Sequence, residues 1–262
     1  MNVHDFLRMK EQHIPITMIT SYDSWSASII EESDVDCILV GDSLAMVMHG
    51  GDSTITADSD LMALHIRAVR KGAPSAFIIG DLPFLSYRKG LRDTMENVEL
   101  LMRAGSQAVK LEGVLGHEDI IKHIVTSGIP VMGHLGLTPQ SVYQMGGYRV
   151  QAKSEEAKEQ LLVSAQTLEA LGCFSLVLEC VPRSIAATVA QKLTIPVIGI
   201  GAGSRVDGQV LVLQDLLGLT AGSSPRFVKR YLDGRRLVSD ALNTYVKETR
   251  EGIFPSVKES YR

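Results

Sequence analysis

Residues 197–218 read VIGIGAGSRVDGQVLVLQDLLG, and Gly199, Gly201 and Gly203 fall within five positions directly after a run of β-branched residues. Such a stretch admits three readings: a dinucleotide fingerprint, a phosphate cradle, or the bend where a strand leaves the mouth of a barrel. A dinucleotide fingerprint belongs to the first strand–helix unit of a chain and has an acidic residue about twenty positions on, at the end of the next strand. Here six apolar runs come first, at 16–22, 37–43, 76–82, 108–113, 130–136 and 174–181; the glycines end a seventh, 196–203, and an eighth follows at 209–213. Position therefore removes the dinucleotide reading. A phosphate site after the seventh and eighth strands of a barrel and a glycine-lined exit both stay open at this point.

Between the apolar runs lie amphipathic segments that read as helices, over 24–33, 59–71, 92–104, 117–127, 155–171 and 184–192, with a last one after Ser224-Pro225, where serine would cap and proline would open the first turn. Apolar runs without alternation, separated by helices, mark a parallel sheet buried on both faces. Eight such units in about 250 residues predict a (β/α)8 barrel of the TIM type, with a doubly wound open sheet as the competitor. Two connections are long, 44–58 after the second strand and 137–154 after the fifth, and both lie on the strand-to-helix side where barrels place their active sites. With no linker, repeat or low-complexity tract, residues 1–262 are expected to form one domain.

The 262 residues are 45% hydrophobic and 21% charged, the balance of a soluble globular protein with a sizeable core. A net charge of -4 offers no basic field for nucleic acid and no polybasic patch for a membrane. Cys37, Cys173 and Cys180 are odd in number and sit in apolar runs, as reduced core residues would. The amino-terminal residues form no long apolar segment and no later stretch is long enough to span a bilayer, so the expected compartment is the cytoplasm.

Charged residues at strand ends need a reason. Asp42 and Ser43 end "LVGDS", Asp81 lies in "IIGDLPF", Lys110 and Glu112 in "VKLEG", His134 in "VMGHLG" and Glu179 in "LVLEC". Closing a barrel would bring all of them to one mouth, with Lys110 and Glu112, two apart, on one face of their strand. Taken singly, Asp42 or Asp81 could cap the next helix, Lys110 and Glu112 could be a buried ion pair, and His134 could be a structural histidine. Together they read as a catalytic mouth. Carboxylates without a His/Cys cluster suit Mg2+ or Mn2+ rather than zinc. An ion held by few carboxylates keeps positions open for a bidentate 2-keto acid, acts as a Lewis acid and stabilises an enolate. Glu179, between Leu178 and Cys180, has almost no polar company nearby in sequence, and such surroundings raise a carboxyl's proton affinity, as a base for C–H abstraction requires.

At this point the motifs carry a family. "TSYD", "VGDSLAMVMHGGDST", "HIRAVRKG", "GDLPF", "AVKLEG", "GHLGLTPQS", "GGYRVQ", "VLECVP", "IGIGAG", "DGQVLVLQDLLG" and "EGIFP", in this order over nearly the whole chain, resemble the ketopantoate hydroxymethyltransferase family. The resemblance implies a barrel of the phosphoenolpyruvate/pyruvate type, assembled as a homo-oligomer, typically a decamer. It implies transfer of a hydroxymethyl group from 5,10-methylenetetrahydrofolate, as co-substrate, to 3-methyl-2-oxobutanoate, giving 2-dehydropantoate on the way to pantothenate and coenzyme A. One Mg2+ per subunit would lie among Asp42, Asp81 and Glu112. Ser43 and Lys110 would hold the keto acid together with the aspartates, His134 would line the site, and Glu179 would accept the proton. Two departures from the family pattern, "HGGDSTITADSDL" in the loop over the site and Val206 where cysteine is common, touch no chemical position. Because the keto acid carries no phosphate, the resemblance also favours the barrel-mouth reading of the glycines. Among other functions, a carbon–carbon lyase of the isocitrate lyase type would use similar aspartates but usually carries a reactive cysteine on a mobile loop, and neither long connection contains cysteine. A non-catalytic scaffold barrel would have no need of these acids.

Overall fold

In the first of two units, Met1–Val212, eight parallel strands pair in sequence order, and β8 pairs back with β1 to close a barrel. The computed structural model describes residues 1–222 and 225–261. The elements are, in chain order, α1 (Val3–Glu11), β1 (Ile16–Thr20), α2 (Ser24–Glu31), β2 (Cys37–Val40), α3 (Leu44–Val47), α4 (Ser59–Gly72), β3 (Phe77–Asp81) and α5 (Leu91–Ala104). They continue with β4 (Ala108–Glu112), α6 (Glu118–Thr126), β5 (Val131–Gly136), α7 (Val142–Met145), α8 (Glu155–Ala170), β6 (Ser175–Glu179), α9 (Arg183–Lys192), β7 (Val197–Ile200) and β8 (Gly208–Leu211). The second unit, Leu213–Arg262, carries α10 (Leu213–Leu216) and α11 (Gly234–Arg250).

The barrel foreseen from eight apolar runs is the fold found. Most strands stop short of the runs that announced them; β2, for example, ends at Val40, and Asp42 and Ser43 belong to the loop beyond it. The helices start where sequence chemistry places them: Asp23, Asp58 and Ser154 each accept a hydrogen bond from the backbone amide three residues on. Helix α4 buries Met62, Ala63, Ile66 and Val69, a stripe of helical period.

Inside the barrel the period of two governs. Ile16 and Met18, Cys37 and Leu39, Phe77 and Ile79, Ala108, Met132, Val177, Ile198 and Val210 form one interior cluster. Two further residues along β3, β5 and β6 on the same inward face come Asp81, His134 and Glu179, and along β4 come Lys110 and then Glu112. The polar residues are thus the last interior layer at the carboxyl ends of the strands, the face on which barrels do chemistry.

The opposite end is plugged by α1, an element the sequence reading did not assign. Asn2 caps it by accepting from the His4 and Asp5 amides. Phe6 is fully buried and meets Phe77 and Phe174 edge-on at ring-centroid distances of 5.5 and 5.1 Å. Burial of that ring contributes about 2 kcal/mol. Lys10 Nζ donates to the Ala190 and Ile195 carbonyls at 2.8 and 3.0 Å and to Asp207 Oδ2 at 2.8 Å, so its charge ends fully bonded.

The glycine stretch serves as an exit turn. Gly201 and Gly203 take φ of +64° and +85°. A Cβ on Gly203 would lie 2.6 Å from the Cβ of Arg183 at the start of α9. The chain then folds back at once, the Asp207 amide donating to the Val197 carbonyl at 2.9 Å.

The last helix corrects one expectation. Ser224, its expected cap, lies outside the described residues, and the helix begins at Gly234 rather than just after Pro225. The backbone amides of Tyr231, Gly234 and Arg235 donate instead to the carbonyls of Leu216, Leu217 and Gly218. The Gly234 and Arg235 amides open the helix and have no acceptor within it, so these carbonyls satisfy them.

Candidate active site

Barrel closure brings the six strand-end residues and Ser43 toward one mouth. Asp42, Asp81, Lys110, Glu112 and His134 are all buried there. The backbone amide of Asp42 donates to Asp81 Oδ2 at 3.1 Å, joining the ends of β2 and β3. Neither aspartate caps a helix; both side chains turn into the site. Lys110 Nζ stands 3.1 Å from Asp81 Oδ1 on the neighbouring strand, so its ion pair is with Asp81 rather than with Glu112 two residues along. The same ammonium is 3.4 Å from His134 Nδ1. His134 in turn has Nδ1 at 3.5 Å from Glu112 Oε1 and Nε2 at 3.3 Å from Glu179 Oε2. Nε2 makes no hydrogen bond of good geometry, which is not the condition of a satisfied structural histidine.

Burial and crowding of like charges set the electrostatics. Burial, then the charges of Asp81 and Glu112, push the Asp42 carboxyl well above the ordinary range, although Lys110 and a hydrogen bond from Gln140 oppose this. Asp81 is raised as well, by burial, with Lys110 opposing. Burial works against the charge of Lys110, yet Asp81, Glu112 and Asp42 outweigh it and hold the ammonium above its usual value. At His134, burial and Lys110 disfavour the imidazolium, but Glu112 and Glu179 prevail and carry it up to about 9.

Glu179 differs from its sequence expectation. Its neighbours Leu178 and Val181 are apolar, but it faces the His134 imidazole of the adjacent strand β5, so it does not lack polar company. Alternation explains the error: adjacent residues of a strand point to opposite faces, and the residues that share a face with Glu179 come from other strands. Its side chain keeps 17% of its surface exposed, against 3% for Asp81 and Glu112, which makes it the carboxylate most open to the mouth. The backbone beside it is close-fitted. Gly136 takes a φ of +91°, and a Cβ there would lie 2.2 Å from the Glu179 carbonyl oxygen, so only glycine fits. Cys180, next in the chain, sits at a φ of +48°.

Three residues of the site were not singled out from sequence. Tyr22 lies with its hydroxyl 2.8 Å from Ser43 Oγ. Gln140 donates to Asp42 Oδ2 at 2.8 Å, and Tyr87 lies 3.0 Å from Gln140 Oε1. All three are polar residues on strand-to-helix loops, and Tyr22 and Gln140 fall within the stretches "TSYD" and "GHLGLTPQS"; what sequence lacked was any sign that they turn inward. A cleft of about 440 Å³ opens beside them, lined by Ile55 of the first long connection, by Phe84, Leu85, Tyr87 and Arg88 after β3, by Gln140, Ser141, Tyr143 and Gln144 of the second long connection, and by Glu112.

The donor set suits a hard divalent cation. Asp81 Oδ1 is buried with the Lys110 ammonium 3.1 Å away, and Asp42, Asp81 and Glu112 set three carboxyl groups around that one ammonium. Among the described residues no three His, Cys, Asp or Glu side chains are grouped closely enough to hold a metal ion by themselves.

Lys110 also holds these acids together. In metal-free buffer, Lys110→Met should destabilise the fold by about 3–5 kcal/mol, as breaking a buried pair does. Asp42, its carboxyl already raised, then loses an opposing charge. In the window between the unfolded and the raised folded value the folded state binds the extra proton, so stability falls as pH rises and is recovered on acidification through the folded value. Thermal melts against pH check this; a loss that does not shrink on acidification would contradict it.

Residues 1–257 match the sequence family described as ketopantoate hydroxymethyltransferase. Curated relatives named 3-methyl-2-oxobutanoate hydroxymethyltransferase include one from Coxiella burnetii, 52% identical over 98% of this chain and 97% of its own length. Another, from Bdellovibrio bacteriovorus, is 54% identical over 98% of both chains. Among solved structures, phosphonopyruvate hydrolase in complex with oxalate and Mg2+ superposes with a TM-score of 0.63 at 13% identity, covering 99% of this chain and 93% of its own. The 2,3-dimethylmalate lyase of the PEP mutase/isocitrate lyase superfamily gives 0.63 at 18%, covering 99% and 91%. At such identities the structures speak for the barrel alone, whereas the sequence matches extend over nearly the whole chain. By the latter, with the strand-end acids in place at the barrel mouth, this chain belongs to the ketopantoate hydroxymethyltransferase family.

Proposed function

We propose that this enzyme transfers a hydroxymethyl group from 5,10-methylenetetrahydrofolate to 3-methyl-2-oxobutanoate, giving 2-dehydropantoate, the first step toward pantothenate and coenzyme A. The observation that carries this reading is the top interior layer of the barrel: Asp42, Asp81 and Glu112 around Lys110, with the more open Glu179 against His134. Asp42 and Asp81, with Glu112 alongside, would hold one Mg2+, whose chemistry when bound is Lewis-acid polarisation of the 2-oxo group. Lys110 and Ser43, the latter oriented by Tyr22, bind the oxygens of the keto acid with the aspartates. Glu179 takes the proton from C3, and that carbon then adds to the one-carbon unit, which water releases from the folate at the oxidation level of formaldehyde, so that water supplies the hydroxyl oxygen and tetrahydrofolate leaves. His134 supports it by setting an imidazole 3.3 Å from its carboxylate. The loops lining the 440 Å³ cleft leave room for the second substrate.

Around this core the reading includes a cytoplasmic enzyme that acts as a homo-oligomer, a decamer by family habit, and takes only small molecules as partners. Among the described residues no helix is long and apolar enough to cross a membrane. Proton NMR tests the chemistry. In D2O with Mg2+ and no folate, the purified protein should exchange the C3 hydrogen of 3-methyl-2-oxobutanoate for deuterium. Addition of 5,10-methylenetetrahydrofolate should then yield 2-dehydropantoate. A protein that does neither is not this enzyme.

A further inference from the structure

Gln140 sits in the short 3-10 turn Pro139–Ser141 after β5, buried, and every polar atom it owns on the site side is engaged. Its backbone amide donates to Glu112 Oε2 at 3.0 Å. Its side-chain Nε2 donates to Asp42 Oδ2 at 2.8 Å and to the Leu82 carbonyl at 3.0 Å. Its Oε1 lies 3.0 Å from the Tyr87 hydroxyl, which accepts from the Glu112 amide at 3.2 Å. One residue therefore ties the carboxylate at the end of β2 to the carboxylate at the end of β4, across the intervening β3.

The orientation of this amide is determined by its surroundings. Nε2 has two hydrogens and faces two acceptors, while Oε1 faces a hydroxyl that can donate. A flipped amide would set a carbonyl oxygen against a carboxylate and a backbone carbonyl, two repulsive contacts in place of two hydrogen bonds. The amide is also neutral. It occupies one oxygen of Asp42 and its backbone occupies one oxygen of Glu112, without cancelling either charge, so Asp42 Oδ1 and Glu112 Oε1 stay uncommitted to it. A lysine or arginine in this place would neutralise the acids and compete with a cation for them. A donor that orients a carboxylate yet leaves its charge and its second oxygen available is what outer partners of metal ligands supply.

We propose that Gln140, itself held by Tyr87, is the positioning residue that sets Asp42 and Glu112 for a divalent cation. This rests on the metal-dependent reading of the site given above. Mn2+ is the probe, its free fraction followed by electron paramagnetic resonance, with no substrate present. Gln140→Met keeps the length and the backbone amide but removes the side-chain donor and acceptor. Its Mn2+ affinity should fall about 10–100-fold, in the range of lost outer partners of metal ligands, and that of Tyr87→Phe should fall by less, since Tyr87 acts only through Gln140. Melting temperatures measured without metal separate this from general loosening, since a purely structural role would lower the melting temperature and leave affinity unchanged in the folded fraction. Should Gln140→Met fail to fold, Tyr87→Phe, which deletes only a hydroxyl, decides alone. Folded variants with the Mn2+ affinity of the wild type overturn the proposal. Asp42→Asn locates any failure: if it weakens Mn2+ binding while the Gln140 and Tyr87 variants do not, only the positioning role is lost. If wild-type binding is indifferent to Asp42, the metal reading falls and the proposal with it.

Discussion

Glu179→Gln should abolish folate-independent deuterium exchange at C3 of 3-methyl-2-oxobutanoate, with a loss of about two to four orders of magnitude, as for a missing general base. The C3–H bond is a weak carbon acid, and its proton needs both a stabilised 2-oxo oxygen and an acceptor placed at the mouth. Glu179 is the carboxylate with access: 17% of its side chain is exposed, and its Oε2 faces only the His134 imidazole within ion-pair reach. Glu112 is less suited, because its Oε2 accepts the Gln140 amide and its Oε1 faces His134 inside the buried layer. Glutamine keeps the shape and can still accept from His134, and it lies outside the carboxylates assigned to the cation. The variant should therefore keep its Mg2+ dependence of thermal stability while losing exchange. Exchange at the wild-type rate would move the role of base to Glu112 or to a bound hydroxide.

Asp81→Ala should lower Mg2+-dependent turnover by about a hundredfold or more. Asp81 holds the site from two sides: Oδ2 accepts the Asp42 amide and Oδ1, buried, faces the Lys110 ammonium at 3.1 Å. Removing the carboxylate also frees Lys110 from its ion pair, with Asp42 and Glu112 still nearby to balance its charge, so the fold should survive. Turnover measured against Mg2+ concentration checks this, and Asp81→Asn, which retains an acceptor for the Asp42 amide, separates loss of charge from loss of the hydrogen bond. Wild-type activity in Asp81→Ala at limiting Mg2+ would sink the assignment.

The sequence alone determined the barrel and which charged residues gather at the carboxyl ends of its strands. Both follow from local chemistry: apolar runs of strand length, helices capped at Asp23, Asp58 and Ser154, and a period of two that carries a chain of inward residues from Phe77 through Ile79 to Asp81, or from Ala108 to Lys110 and Glu112. Tertiary structure decided who meets whom. That Lys110 pairs with Asp81 and not with Glu112, that Glu179 faces His134 rather than apolar surroundings, and that Gln140 of one loop ties Asp42 to Glu112 all depend on strand register and on closure. Those contacts join residues 29, 45, 98 and 28 positions apart, in the order named. The plug formed by α1 has the same origin, since Phe6 and Lys10 find their partners only at the bottom of a closed barrel. A residue's own neighbours fix its backbone state and its face, but its charge partners come from strands that only folding brings alongside.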